Sequence, residues 1–558
     1  MAEQNEQKPR GLSRRTFLRY TALGSGAAFL AACAPTVAPT TGTGDDMPAA
    51  TDAGSAPAAG TPQQGGTMVW VGHQEVAGLG PADTGPTVQA VMINNILNPL
   101  VYYNEFVELE PVLAESYEVS EDGLTYTFNL HQGVMFHDGS ELSAEDVKYT
   151  YDFYGNPDNA STIQGSFFGI GSVEAPDPST VVVNMEQVNA ASLSNWASVP
   201  IVNAAYHAEV GEDTFRTSPI GTGAFKLKEW RPAEFTEIEA FDDHFRGRPY
   251  LDTVRLDIVP EPSVRMIAMQ TGDADGVVWP LLVEDSILLE SDPNYVVYRT
   301  LANSVKFLPL NNEKPELSDK MVRRAMLHAL DRQRIIDELW SGAAQVAHSN
   351  LAPKNAFYYN PDLPQYEYDP EAAAAMLEEA GWTVGANGIR EKDGMTLTFT
   401  CTTITGDSAR RPIAELAQQM LAEVGVDMQL AEAPVSAILE ALRNGSMDSS
   451  LFNWTFGTSP EPDPFATLHS EGGNNFNRYF NDEMDQLIEE GLNSVIPEER
   501  QPIYYQIQSI FAEDVPCLYL QFDEWINAFS GRIGGLPENP LSGDPIFFAA
   551  HKLYIKEA

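Results

Sequence analysis

The chain has 558 residues, 43% of them hydrophobic, and 33 Lys and Arg against 79 Asp and Glu give a formal net charge of −46. That length exceeds one ordinary core and predicts two or three domains. A surface this acidic repels phosphate and so excludes nucleic acid as a partner; no stretch reaches the roughly 18–20 apolar residues that span a bilayer as a helix.

The chain opens on an address. Ser13-Arg14-Arg15-Thr16-Phe17-Leu18-Arg19 precedes an apolar run from Tyr20 to Leu30, followed by Leu30-Ala31-Ala32-Cys33. A basic region, a short apolar region and small residues before a cleavage point are the parts of a secretory signal. The paired arginines resemble a twin-arginine export signal. Leu-Ala-Ala-Cys resembles the lipobox of bacterial lipoproteins, which implies that Cys33 is acylated and becomes the new N-terminus. From Ala34 to about Gly66 the composition is mainly Ala, Pro, Thr, Gly, Ser and Asp, with almost no large apolar side chain. Such a segment buries too little apolar surface to offset its entropy and is expected to be a tether, with a reach of roughly 30 Å.

Folded texture begins after Gly66. Leu124 to Leu130 alternates apolar and polar residues, as a strand with one buried face does. Ser143 with Asp146 marks a helix start, with Val147, Tyr151 and Tyr154 on one face. Val254, Leu256 and Ile258 alternate as a strand. Ser318 is placed to cap a helix bearing Val322, Met326 and Ala329, and Asp331 to cap the next, through Ile335 and Leu339. Asp369-Pro370 opens a helix that Gly381 stops. Met395, Leu397, Phe399 and Cys401 share one strand face. Ile413, Leu416, Met420, Leu421 and Val424 form a helical stripe ending at Gly425, and Val426, Met428 and Leu430 alternate after it. Strands alternating with helices predict an α/β fold with substantially parallel sheets. Cys401 and Cys517 are expected to be two free buried thiols; exported proteins also permit a disulfide between them.

Chemistry-bearing motifs are sparse. The sequence holds no Gly-x-Ser-x-Gly, no Gly-x-x-x-x-Gly-Lys and no His-Glu-x-x-His. His137-Asp138-Gly139-Ser140 reads as a turn after a strand. Gly221-Thr222-Gly223 lacks the third glycine of a nucleotide fingerprint and leads into a strand at Ala224-Phe225-Lys226-Leu227. The remaining signal is aromatic. Trp454 and Phe456 lead into a proline-rich loop from Gly457 to Pro464, where flat apolar faces suit a ligand cleft; Trp454 is equally readable as the end of a core strand.

Four ordered blocks resemble the peptide/nickel-type family of ABC solute-binding proteins, family 5. They are Glu121–Phe128 through Gly139 with Ser143–Val147; Pro219-Ile220-Gly221-Thr222-Gly223-Ala224-Phe225; Asn311 with Val322-Arg323-Arg324-Ala325 and Ala329-Leu330-Asp331; and Ile510 to Leu518 around Asp514-Val515-Pro516. The resemblance implies a two-lobed periplasmic-binding-protein-like α/β fold of the large type II cluster, with an extra subdomain in the first lobe. It further implies a signal over 1–32, a tether over 33–65, a first lobe over 66–307, a second lobe over 308–519 and a return to the first over 520–558. The crossovers are placed near Phe307–Leu310 and Leu518–Gln521, and binding is closure about that hinge.

By the same resemblance the chain is expected to be a non-enzymatic, monomeric receptor outside the cytoplasm. It is held to the membrane through Cys33, needs no cofactor or metal, and passes a small molecule or oligopeptide to an ABC permease and its ATPase. Phe307, Asn311, Arg410, Trp454, Phe456 and Thr458 are expected to line the cleft, with Arg410 or Arg411 placed to meet a ligand carboxylate. Family members that grip a peptide's amino terminus carry an Asp shortly after the tryptophan; Phe456-Gly457-Thr458-Ser459 has none. An oligosaccharide or other neutral solute is therefore a second expectation. A secreted hydrolase using His137 or Glu461, and a surface scaffold, are the readings from other classes.

Overall fold

The computed structural model describes residues 62–557, apart from 84–86, 198, 279–280, 408, 456–461 and 463. The export signal, Cys33 and the tether as far as residue 61 lie outside these, as do Phe456, Thr458 and Glu461. Ordered pairing starts where the low-complexity stretch ends: the Gly65 N–H donates to the Tyr250 carbonyl at 2.7 Å and the Gly66 N–H to the Asp252 carboxylate at 3.1 Å.

One large sheet runs through the chain. From one edge its strands are Phe452–Thr455, Tyr295–Pro309, Cys517–Ser530, Gly276–Val277, Thr67–Gly72, Thr253–Ile258, Phe235–Ala240 and Phe225–Arg231, with Ala344–Val346 also pairing on Cys517–Ser530. A second sheet has Thr398–Ile404 at its centre, parallel to both Asp427–Ala433 and Ser449–Ser450. A four-stranded antiparallel sheet of Ala114–Val119, Thr125–Leu130, Thr180–Met185 and Ile170–Asp177 forms the added subdomain.

The expectation of substantially parallel sheets therefore needs correction. In the large sheet only Thr67–Gly72 pairs in parallel, with Thr253–Ile258 and Gly276–Val277; its other pairs are antiparallel. Parallel pairing requires a long crossover, whereas Phe225–Arg231 and Phe235–Ala240 are joined by a tight turn and must form a hairpin.

Local signals mostly hold. Tyr126, Phe128 and Leu130 are buried on one face of their strand. The helix Ala144–Gly155 starts at Ser143, whose N–H and hydroxyl both donate to Asp146 at 2.9 and 3.0 Å, and it buries Val147, Tyr151 and Tyr154. Asp331 accepts from the Arg334 N–H and Asp369 from the Ala372 N–H, each at 2.9 Å. Gly381 and Gly425 stop their helices at φ +88° and +83°. Two details differ. Asp319 caps Lys320–Ala329 by accepting from the Met321 N–H at 2.9 Å, while Ser318 donates back to the Pro315 carbonyl. Met395 belongs to a short exposed hairpin strand, so only Leu397, Phe399 and Cys401 enter the core.

Separate apolar cores lie on either side of a pair of connecting strands. Trp70, Phe128, Leu256 and Phe547 belong to one; Leu310, Val322, Cys401, Ile413 and Leu518 belong to another. Tyr295–Pro309 and Cys517–Ser530 pass from one to the other. Val305 and Phe307 pack with Tyr504 and Phe522, while Ile526 and Ala528 pack with Val71 and Met269. Cys401 and Cys517 are free thiols buried in different cores; burial pushes Cys401 up to about 12 and Cys517 further.

The third and fourth sequence blocks are tied to each other by one side chain. Buried Arg323 donates to the Leu317, Ser318, Asp514 and Val515 carbonyls at 2.7–2.8 Å. Asp514 in turn accepts from the Tyr479 hydroxyl at 2.6 Å and from Lys320 at 2.9 Å. Segments some 190 residues apart in sequence are thus fixed at the root of the second lobe.

Candidate functional site

In open α/β sheets, loops at the carboxyl ends of parallel strands face the binding crevice. The strand Thr398–Ile404 delivers its chain to Asp407 and then to the helix Arg410–Glu423. Asp407 accepts from the Ala409 and Arg410 N–H groups, each at 2.9 Å, and pairs with the Arg410 guanidinium. Burial pushes the Asp407 carboxyl up, but those amides and the guanidinium more than reverse it, holding it below the usual carboxylate range. Arg410 also donates to the Asn453 side-chain oxygen, and its Nε is buried without a partner among the described residues. Asn453 and Thr455 both donate to the Ser304 hydroxyl, at 3.4 and 3.1 Å. Arg410, Asn453, Thr455 and Ser304 therefore form one polar face where the edge strand meets the first connecting strand.

The opposite face is aromatic. Trp454 stacks on Phe476 at 4.8 Å between ring centroids and on Phe307 at 6.4 Å, and meets Phe452 edge-on at 5.5 Å. Trp454 is half-buried, so it both ends a core strand and leaves part of its ring accessible. Phe307 is 2% exposed and backs that ring. Asn311 is buried with its amide nitrogen donating to the Gly445 and Met447 carbonyls at 2.9 and 3.0 Å and its oxygen accepting from the Glu313 N–H at 3.1 Å. That side chain shapes the loop beneath the edge strand and keeps little hydrogen-bonding capacity for a ligand. Arg411 points away from Arg410 and pairs with Glu415 and Glu432. The structure thus groups Arg410, Trp454 and Phe307 and sets Asn311 behind them.

A cavity of about 520 Å³ lies where the subdomain and the second lobe meet, walled by Phe168, Gln187, Val188 and Asn189 on one side and by Phe465, Glu489, Leu492 and Asn493 on the other. Its two walls touch directly: the Ala190 N–H donates to the Leu492 carbonyl at 3.2 Å. Phe465 stacks on His469 at 4.2 Å, and His469 lies 3.4 Å from Glu489. Phe168 is 66% exposed, an unusual setting for a phenylalanine. Of the expected cleft residues that are described, Phe307, Asn311, Arg410 and Trp454, none borders this cavity. Two signals pointed to it: Phe168 lies in the Gly-rich run Gly165-Ser166-Phe167-Phe168-Gly169, and Phe465 follows directly on the proline-rich loop.

His137 is accounted for structurally. Its Nδ1 accepts from the Gly221 N–H at 3.2 Å, and its Nε2 lies 3.0 Å from the Gly223 carbonyl, to which it must donate. Both ring nitrogens are thereby used, and burial holds the ring down at about 4. No lone pair remains for general-base chemistry, so the hydrolase reading through His137 falls. Gly221 and Gly223 are required by closeness: a Cβ would stand 2.1 Å from the Ile96 carbonyl oxygen and 2.3 Å from that of Asn95.

Comparison with known proteins agrees over most of the chain. Residues 108–477 match the family described as bacterial extracellular solute-binding proteins, family 5 Middle. The oligopeptide-binding protein AppA of Bacillus subtilis is 30% identical over 494 residues, covering 86% of this chain and 91% of that protein. The dipeptide-binding protein of Escherichia coli is 28% identical over 519 residues, covering 86% and 93%. The structure of B. subtilis AppA in complex with a nonapeptide superposes with a TM-score of 0.74 at 28% identity, covering 89% of this chain and all of that one. The substrate-binding protein CtaP of Listeria monocytogenes gives 0.78 at 26% identity, with 89% and 100% covered. With two lobes, two connecting strands and a family match spanning well over half its length, the chain belongs to the bacterial extracellular solute-binding proteins of family 5.

Proposed function

We propose that the chain is the extracytoplasmic receptor of an ABC importer, taking peptides or peptide-like solutes between its lobes and presenting the closed form to a permease–ATPase pair. The carrying observation is the cavity of about 520 Å³ walled from both sides, a volume that suits a small ligand. The binding functions in the names of AppA and the dipeptide-binding protein support a peptide-type ligand. The absence of a carboxylate in Phe456-Gly457-Thr458-Ser459 favours, as a second reading, a neutral solute such as an oligosaccharide.

In this reading the first lobe comprises 66–307 and 520–558 and the second 308–519. The hinge is assigned to the connecting strands at and beside the stated crossovers. Their pairing shifts register between Leu301–Glu524 and Val305–Phe522 and again between Lys306–Gln521 and Phe307–Tyr519, irregularities of the kind that bend a strand. Arg410, Trp454, Phe456 and Thr458 are assigned to the ligand-facing loops, backed by Phe307 and Asn311, with Phe465 and Phe168 added to the list. The receptor acts as a monomer, exported by the twin-arginine signal and tethered through acylated Cys33.

Mass spectrometry of small molecules released from the gently purified protein tests the function. Peptides are the expected release; a neutral sugar supports the second reading, and an empty protein that also ignores a peptide digest in thermal-shift assays overturns both. Phe465→Ala is expected to weaken binding roughly tenfold, through lost stacking and buried area, as read by intrinsic fluorescence titration; unchanged affinity would remove Phe465 from the site. Cys33→Ala is expected to move the protein from the detergent-extracted membrane fraction to the soluble one; unaltered partition would rule out the lipid anchor.

A further inference from the structure

Among the described residues that wall the cavity of about 520 Å³, Glu489 is the one ionisable side chain, and no Arg, Lys or His stands beside it. Glu489 lies in the last turn of the helix Asp482–Leu492. Asn493, which ends that helix and also borders the cavity, follows four residues later and so shares its face. The Asn493 N–H donates to the Glu489 carbonyl at 3.1 Å. This end of the helix is short of positive charge. Its last turn carries Glu489 and Glu490 with no basic residue, and no Lys or Arg occurs from 479 to 499. Carboxylates therefore add to the negative end of the helix dipole, where a cation is favoured.

His469 stands behind this wall and is 4% exposed. Its Nδ1 accepts from the Glu471 N–H at 3.0 Å, so the ring hydrogen is carried on Nε2. That Nε2 is buried without a hydrogen-bond partner among the described residues, 3.4 Å from Glu489 Oε1 and 4.0 Å from Asp485 Oδ1. The imidazole also covers one face of Phe465, at 4.2 Å between centroids and 19° between planes, which leaves the other face of Phe465 to the cavity it borders. On the opposite wall the Glu186 N–H donates to the Gly169 carbonyl at 2.8 Å, which fixes Phe168 beside Gln187. Each wall thus presents a phenylalanine ring and a side-chain amide, Phe168 with Gln187 and Phe465 with Asn493.

We propose that this cavity takes the guanidinium of an arginine side chain in the ligand. A guanidinium is a flat cation: its face suits a phenylalanine ring, and its N–H edge suits a carboxylate and amide oxygens. An acidic side chain would bring a second negative charge to Glu489 with no cation in the wall to meet it. A neutral one would leave the acidic end of the helix uncompensated. A lysine ammonium brings the charge without the flat face. The inference deepens the peptide reading and rests on it, naming arginine-bearing peptides as the solute class.

The test uses the full mature protein in mild detergent and three tripeptides titrated by calorimetry: Ala-Arg-Ala, the neutral and nearly isosteric Ala-citrulline-Ala, and Ala-Lys-Ala. The wild type is expected to bind the arginine peptide roughly tenfold more tightly than the citrulline one, with the lysine peptide between them. Glu489→Gln, at an exposed helix position that folding does not depend on, should bring arginine and citrulline to within about twofold. Glu490→Gln removes the same charge one position away, outside the cavity wall, and should keep the preference. Arginine bound no better than citrulline or lysine by the wild type overturns the guanidinium pocket and leaves the peptide reading standing. So does a preference that survives Glu489→Gln or is lost equally in Glu490→Gln. If the wild type binds none of the three, the peptide reading falls. Acetyl-arginine amide that then raises the melting temperature of the wild type but not of Glu489→Gln keeps the pocket, and no such rise sinks both.

Discussion

Replacing Arg323 by alanine is expected to destabilise the second lobe by about 3–5 kcal/mol. The guanidinium is 3% exposed and serves four backbone carbonyls, two ahead of the helix Lys320–Ala329 and two at the end of the helix Pro497–Asp514. Removal leaves those carbonyls unpaired in a dry interior and takes a positive charge from beside Asp514. Burial is also the main force lowering the Arg323 pKa to about 10, with Asp514 as the leading opposing charge. Arg323→Lys should recover little, since one compact ammonium cannot span four acceptors. Hydrogen exchange is the fitting readout, because a protein with separate cores need not unfold in one step. Faster exchange confined to Lys320–Ala329 and the Leu518–Leu520 stretch is expected; a loss below about 1 kcal/mol would show the clamp to be dispensable.

Acidification from pH 6.5 to 5 is expected to cost about 3 kcal/mol of stability, allowing for partial exposure of the rings. Burial holds His137, His244 and His348 down at about 4 and His551 at about 3. Neighbouring cations add to this: Lys226 acts on His137, Arg246 on His244, Arg332 on His348, and Lys552 and Arg246 on His551, while His244 disfavours a second charge on His137 and His551; Asp138 opposes at His137. The sign follows from linkage. These folded-state values lie below the unfolded value of 6.5, so the unfolded chain binds more protons as pH falls. The stabilisation is complete above pH 6.5 and is lost towards pH 4. Asp544 works the other way: its folded value of about 7 lies above the unfolded 3.8, so its contribution is complete below 3.8 and lost as pH rises through 7. Melting temperatures at pH 6.5 and 5 check the balance, in a window where most exposed carboxylates stay ionised. A flat profile would mean that the rings are hydrated and free to charge.

Much of the architecture was legible in particular residues. Period-two runs such as Leu124 to Leu130, and stops such as Gly381 and Gly425, mark local elements because they depend on backbone geometry and on one buried face. The Asp319 cap and the exposure of Met395 were missed for a local reason: adjacent residues compete for one role, and a one-residue shift changes the winner. The parallel pairing was over-read, since alternation of strands with helices does not say which strands share a hairpin.

The candidate site was less legible. Arg410 and Trp454 fall in one neighbourhood, but Asn311 is committed to its own loop, and Phe168, Phe465 and Glu489 come together only across the cavity. Asp544 reads in sequence as an ordinary Gly-Asp-Pro turn. Only the tertiary fold buries it, with one carboxylate oxygen unpartnered among the described residues.

The sequence by itself determined the family resemblance, the α/β class, most local elements and the absence of common catalytic motifs, because these rest on composition, spacing and local propensity. The tertiary structure alone decided which acceptors are left unpaired, which histidines are neutral and which side chains share a wall. Those properties depend on desolvation and on contacts between residues hundreds of positions apart, and neither is a function of local spacing.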